Sequence, residues 1–175
     1  MRPIFFIGFM GAGKSSVARY LARRSGLTSI DMDTYIERRE NKRISKIFEE
    51  VGEEGFRAIE TEVLRELASN EEPMLISCGG GIVTREENRA IIGDRGFAIH
   101  LEVDADEAAS RISDKSSRPL FNDIEAARAR LADRMPLYRE VADATIVTSG
   151  KNVYEISREV RLLLEKEGLL CQQRR

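Results

Sequence analysis

The sequence predicts an α/β fold of three layers, in which a five-stranded parallel sheet is covered by helices on both faces. Three observations lead there. Short apolar runs recur at residues 4–7, 27–30, 74–76, 97–101 and 144–147. They are too short for helices and rich in the branched and aromatic side chains that strands favour. Stretches of helical periodicity separate them, and such alternation is the pattern of parallel strands joined by crossover helices. The runs are also apolar nearly throughout, as expected when both faces of a sheet are buried.

The first strand, 4–7, runs directly into Gly8-Phe9-Met10-Gly11-Ala12-Gly13-Lys14-Ser15. This fits the phosphate-loop pattern Gly-x-x-x-x-Gly-Lys-[Ser/Thr] in the strand-to-helix setting that gives the pattern meaning. Backbone N–H groups in such a glycine-rich loop can turn inward around an anion, and the following helix adds the positive end of its dipole. Gly11, Ala12, Gly13, Lys14, Ser15 and Ser16 form the expected nucleotide-phosphate set. Lys14 would reach the β and γ phosphates as a point charge, and Ser15 offers Mg²⁺ a hard oxygen.

Helices are expected at 14–24, 34–39, 45–51, 54–68, 85–92, 105–113, 124–135 and 153–166. In the fourth, Phe56, Ile59, Val63, Leu64 and Leu67 share one face. In a parallel α/β sheet, ligands sit beyond the carboxyl ends of the strands. Chemistry-bearing residues cluster there: the phosphate loop after the first strand, Asp31 and Asp33 after the second, and Gly79, Gly80 and Gly81 after the third. Residues 114–123 are polar, carry Arg118, and read equally as a lid or a plain surface loop.

The 175 residues suit one domain spanning 1–175. A formal charge of −2 gives no general attraction for nucleic acid, and no run approaches the ~20 apolar residues needed to cross a bilayer. Arg2 and the apolar residues behind it resemble the start of a signal peptide, but glycines and Lys14 interrupt them and no small-x-small cleavage site follows. Cys78 and Cys171 form neither a disulfide framework nor a zinc pattern, which favours a reducing, cytoplasmic setting. The expectation is a soluble protein without nucleic-acid or membrane partners.

The third strand ends in Ser77 and Cys78, so a metal-associated carboxylate must come from elsewhere, and Asp31 is nearest by topology. In an extended Asp31-Met32-Asp33 segment both carboxylates point the same way and could share a cleft. Asp31 is then assigned to Mg²⁺, with Ser15. Asp33 is assigned to the acceptor hydroxyl as orienting group and base, although it could instead cap the helix that follows. Arg57 reads as a carboxylate ligand or as a surface partner of Glu60. Arg134 reads as a ligand or as a complement to a helix end before Pro136. His100, the single histidine, sits within a strand and reads as structural. Asn41-Lys42-Arg43-Ile44 lacks the acidic fourth residue of the guanine-reading Asn-Lys-x-Asp element, so adenine is expected.

The phosphate loop, Asp31-Met32-Asp33, Gly52-Glu53-Glu54-Gly55-Phe56-Arg57, Gly79-Gly80-Gly81, Arg118-Pro119-Leu120 and Arg134-Met135-Pro136-Leu137-Tyr138 together resemble the shikimate kinase family in order and spacing. The resemblance covers nearly the whole chain. It implies a P-loop NTPase fold of the nucleoside-monophosphate-kinase-like type, a lid at about 114–123 and substrate-binding helices at about 33–62. It further implies that Arg57, Arg134 and the Gly79–Gly81 backbone hold the shikimate carboxylate and ring hydroxyls, that Asp33 meets the hydroxyls, and that Arg118 arrives on the lid. Ile44, Phe48, Phe56 and Glu60 would line or support the pocket, with Arg111 beside the adenine. Ser16 stands where the family often has Thr, and Cys78 where other small residues are frequent. Residues 148–152, where the family's adenine loop falls, carry no sharp motif.

The activity so implied is ATP-dependent phosphorylation of the 3-hydroxyl of shikimate, with Mg²⁺, by a cytoplasmic monomer acting in aromatic amino acid biosynthesis. The rivals are a gluconate or related sugar-acid kinase and a non-catalytic ATP-binding regulatory module.

Overall fold

β1 (Ile4–Ile7), β2 (Thr28–Asp31), β3 (Met74–Ser77), β4 (Phe97–Glu102) and β5 (Ala144–Val147) form one sheet in the order β2-β3-β1-β4-β5. Every strand pair is parallel. The computed structural model describes residues 2–111 and 124–170. The expected lid at 114–123, with Arg118, and Cys171 lie outside the described residues.

The alternation of β1 builds the three layers. Ile4 and Phe6 enter one core with α1 (Lys14–Ser25) and α7 (Val153–Lys166), whereas Phe5 and Ile7 enter the other with α2 (Met32–Glu40), α3 (Ile44–Ala68) and α4 (Glu86–Arg95). All four β1 side chains are essentially inaccessible, which is why this strand reads as apolar without alternation. α5 (Ala105–Arg111) contributes Ala108 to the first core. α6 (Ile124–Val141) belongs to both: Ala127 packs in the first core, Tyr138 and Val141 in the second.

Two helix boundaries carry information. The expected helices at 45–51 and 54–68 are one element, α3, broken at Gly52, whose φ of 70° and ψ of −176° lie outside helical geometry. A left-handed φ of this kind favours glycine, so the residue sets the bend. The helix expected to end at Met135 instead runs through Pro136 to Val141. Proline removes one N–H from the ladder without preventing continuation, and packing of Tyr138 and Val141 in the core outweighs that loss.

His100 is buried within β4 and stacks on Tyr138, with ring centroids 5.0 Å apart and an interplanar angle of 19°. Burial pulls its pKa from the ordinary 6.5 down to about 4; nearby Glu102 opposes this, while Arg139 and Lys14 add to it. The histidine reads as structural in the fold as in the sequence. Among the described residues no helix is long and apolar enough to cross a membrane.

Because the folded state resists protonation, the unfolded chain binds the proton first. The contribution of His100 is therefore complete above the ordinary histidine value and is lost as pH falls from 6.5 toward 4. The lone imidazole resonance should titrate near pH 4 by NMR. His100→Phe, which keeps a stacking ring, should remove on the order of 3 kcal/mol of acid-induced destabilisation, read from denaturant midpoints across that pH window.

Candidate active site

Three parallel strands deliver their carboxyl ends to one edge. Asp31 of β2 pairs in register with Ser77 of β3, and Ser77 pairs with Phe6 of β1, one residue before Ile7 closes the strand. Gly8 then opens the phosphate loop with φ +138°, and a Cβ there would lie 2.4 Å from the Leu101 carbonyl oxygen, so only glycine lets the loop pass β4 this closely. Lys14 is 8% exposed, and its ammonium donates to the carbonyls of Gly8 and Phe9 at 2.8 Å each. The loop thus folds around the cation that the sequence placed at its centre.

Ser15, Asp31 and Ser77 form an oxygen-rich corner beside the loop. The Ser15 hydroxyl donates to Asp31 Oδ2 and lies 3.0 Å from Ser77 Oγ. Asp31 Oδ1 accepts from the Thr34 N–H at 3.0 Å and from Thr34 Oγ1 at 3.2 Å, which makes Asp31 the N-cap of α2. This corrects two expectations. The capping role considered for Asp33 falls to Asp31, and the Asp31-Met32-Asp33 segment is not extended, because α2 begins at Met32. Asp33 therefore lies in the first helical turn and reaches a different neighbour.

That neighbour is the triple-glycine turn. A Cβ on Gly79 would lie 2.7 Å from Glu60 Oε1 and 3.1 Å from Asp33 Oδ1, so two carboxylates converge over this glycine. A Cβ on Gly81 would lie 2.2–2.4 Å from three atoms of the Arg57 guanidinium, which therefore rests on the turn itself. Arg57 Nη1 donates to Glu60 Oε2 at 2.7 Å, and Nη2 reaches Glu53 at 3.4 Å. The Arg57 Nε is buried and has no hydrogen-bond partner among the described residues.

Burial pushes the Glu60 carboxyl above its usual range, Arg57 and Arg134 oppose this, and Asp33 adds to it. Burial works against the Arg57 charge too, but Glu60 and Glu53 outweigh it and hold the guanidinium above its ordinary value. The pairing of Arg57 with Glu60 is thus real but is not a surface feature: the Glu60 side chain is 1% exposed and that of Arg57 is 11%. Arg134 sits in mid-helix, since α6 continues to Val141, so the helix-end reading is overturned. Its Nη1 approaches the Gly80 carbonyl at 3.3 Å. Arg57, Glu60, Asp33 and Arg134 therefore surround one turn. Phe48 and Phe56 stack beside them at 4.5 Å, with the Arg57 guanidinium 5.4 Å from the Phe56 ring centre.

At the far end of the phosphate loop, Arg111 is bonded to Glu107 Oε1 at 2.6 Å, to Thr148 O at 2.6 Å, to Thr148 Oγ1 at 3.1 Å and to Lys151 O at 3.3 Å. Glu107 also accepts from the Gly150 N–H. Together the two side chains brace residues 148–151. A guanidinium satisfied along its edges still presents flat faces on which a base can stack.

Residues 10–165 match the family model described as shikimate kinase. The shikimate kinase of Dehalococcoides mccartyi strain BAV1 is 39% identical over 165 residues, covering 93% of each protein. That of Ralstonia nicotianae strain GMI1000 is 40% identical over 171 residues, covering 95% of this chain and 89% of the relative. The chain belongs to the shikimate kinase family.

Among solved structures, the shikimate kinase from Acinetobacter baumannii in complex with shikimate superposes with a TM-score of 0.90 at 35% identity, over 97% of this chain and 96% of that one. A gluconokinase from Sinorhizobium meliloti, 19% identical with a TM-score of 0.63, shares the fold. The fold is accordingly the P-loop NTPase arrangement that the shikimate kinases show.

Of the residues picked out in the sequence, Lys14, Ser15, Asp31, Asp33, Arg57, Gly79, Gly80, Gly81 and Arg134 gather at the ends of β1, β2 and β3. Arg111 lies at the β5 side, and Arg118 lies outside the described residues. Reading the sequence alone overlooked Glu107 as a brace and Ser77 as the third oxygen of the corner. A Glu four residues before an Arg on a helix was the available signal for Glu107; a serine ending an apolar strand was the signal for Ser77. Cys78, beneath the turn, is buried, and burial raises its thiol far above the usual range, leaving it inert.

Gly81→Ala would drive its methyl into the Arg57 guanidinium. It is expected to weaken binding of a carboxylated acceptor by about tenfold while changing nucleotide affinity by less than about twofold, measured by isothermal titration.

Proposed function

We infer that this protein is an ATP-dependent kinase that phosphorylates the 3-hydroxyl of shikimate, giving shikimate 3-phosphate and ADP in the route to chorismate and the aromatic amino acids. The observation that carries this reading is the placement of two arginines, Arg57 and Arg134, against one triple-glycine turn, at the same sheet edge as the phosphate loop. A carboxylated polyol needs such positive groups for its carboxylate and an acceptor for its hydroxyls, and Asp33, over the same turn, supplies the second. Family membership and the Acinetobacter relative, solved in complex with shikimate, support the same substrate.

The roles follow from position. Gly11, Ala12, Gly13, Lys14, Ser15 and Ser16 cradle the ATP phosphates, and Lys14 exchanges its loop carbonyls for phosphate oxygens. Asp33 orients the acceptor hydroxyl and takes its proton. Arg57, Arg134 and the Gly79–Gly81 backbone hold the carboxylate and ring hydroxyls. Arg111 stacks on the adenine, and Arg118 neutralises charge on the transferring phosphoryl group. With little covalent chemistry for the protein to perform, positioning and charge stabilisation carry the rate.

Mg²⁺ fits the Ser15–Asp31 corner, whose hydroxyl and carboxylate oxygens are the hard donors it prefers. Among the described residues no group of three or more His, Cys, Asp or Glu side chains could hold a metal, so the ion would lean on nucleotide phosphates and water. When bound it screens the phosphate charge. A cytoplasmic monomer without nucleic-acid or membrane partners completes the proposal, supported by the charge of −2 and the sparse cysteines.

A coupled ADP-release assay tests the whole reading: shikimate should elicit turnover and gluconate should not. Asp33→Asn is expected to lower kcat by about 100-fold to 10,000-fold with ATP binding retained; near-normal turnover would remove the base assignment. Arg134→Ala should leave the substrate carboxylate without its partner and cost about 3 kcal/mol, a ~100-fold rise in KM for shikimate.

A further inference from the structure

The Gly80 carbonyl is contacted by two side chains from one face of α6. The Tyr138 hydroxyl donates to it, and Arg134 Nη1 approaches it at 3.3 Å. Tyr138 is completely buried, and its ring is backed by the His100 ring stacked at 5.0 Å. Burial lifts the phenol pKa to about 12, although Arg134 lowers it through both charge and a side-chain hydrogen bond. The phenol is therefore a proton donor throughout the physiological range.

A trans peptide is planar, so fixing the Gly80 C=O also fixes the Gly81 N–H, which must point the opposite way. Without a side chain at either residue, this peptide has little steric reason to prefer one orientation over its flipped counterpart. The backbone bonds of the turn, from Ile82 N to Gly79 O and from Thr84 N to Gly81 O, leave the central Gly80–Gly81 peptide outside the ladder. Among the described residues Gly81 N–H meets no acceptor, and it lies on the glycine against which the Arg57 guanidinium rests.

We propose that Tyr138 is a positioning residue for acceptor binding. Its hydroxyl locks the Gly80–Gly81 peptide so that the Gly81 N–H joins Arg57 and Arg134 as a donor to the acceptor's carboxylate or hydroxyl oxygens. Arg134 alone would do this poorly, since its guanidinium must also serve the substrate. The phenol frees it by carrying the structural share of the Gly80 carbonyl. His100 backs the ring as an uncharged plate. The inference rests on the shikimate kinase reading given above.

Tyr138→Phe tests it, because the ring, its volume and its stack on His100 are kept and only the O–H is removed. The expected result is a rise of about fivefold to tenfold in KM for shikimate, with KM for ATP within about twofold of the parent and a thermal midpoint lowered by only a few degrees. A merely structural role would move the midpoint and leave the two KM values in their original ratio, and that outcome overturns the proposal. So does a variant in which both KM values rise together. Isothermal titration of shikimate into Tyr138→Phe and parent protein gives a second reading without turnover: equal affinities would refute the proposal. A parent chain that transfers no phosphate to shikimate would instead overturn the functional reading beneath it, and this one with it.

Discussion

The register of three parallel strands governs everything at this site. Because β1, β2 and β3 end at the same level, with Asp31 opposite Ser77 and Ser77 opposite Phe6, the phosphate loop, the oxygen corner and the triple-glycine turn emerge side by side. A strand shifted by one residue would send its side chains to the other face and separate these groups. The two cores, each claiming alternate residues of β1, oppose such a slip: Phe5 and Ile7 cannot exchange places with Ile4 and Phe6 without repacking both layers.

Much of this was legible in the chain. Short runs of three to five mostly apolar residues announced the strands, three of which, β1, β3 and β4, are buried almost throughout, and the Gly-Lys-Ser turn announced the phosphate end. Boundaries failed where tertiary forces overruled local ones. Pro136 ought to have ended a helix, yet Tyr138 and Val141 had a core to enter and the helix went on. Asp33 could have been the cap, yet Asp31 took the bond because the strand ended two residues earlier than an extended reading through Asp33 required. The Arg57–Glu60 pair could be seen at its spacing, but not its depth, because burial there is imposed by Gly79 and Gly81 from a distant segment.

The acceptor wall concentrates opposed charges in a dry place. Buried ion pairs gain little net stability, since desolvation offsets attraction, so the Arg57–Glu60 pair contributes little as a brace for the fold. Glycines at 79 and 81 are what make the arrangement possible: backbone is the thinnest wall that can separate the charged groups from the hydrophobic layer that includes Cys78 and Ile82.

The break at Gly52 divides α3 into two parts. Its first stretch carries Phe48, while the second carries Phe56, Arg57 and Glu60 and is rooted in the core by Val63, Leu64 and Leu67. A left-handed glycine lets the chain change direction without strain, and the leading stretch sends Ile47 into the same core and stacks Phe48 on Phe56 at 4.5 Å. The two stretches are thus fastened to each other across the bend by ring stacking and by a shared apolar layer. A change of size at Phe48 would therefore be felt at Phe56, the immediate neighbour of Arg57, and not on the leading stretch alone.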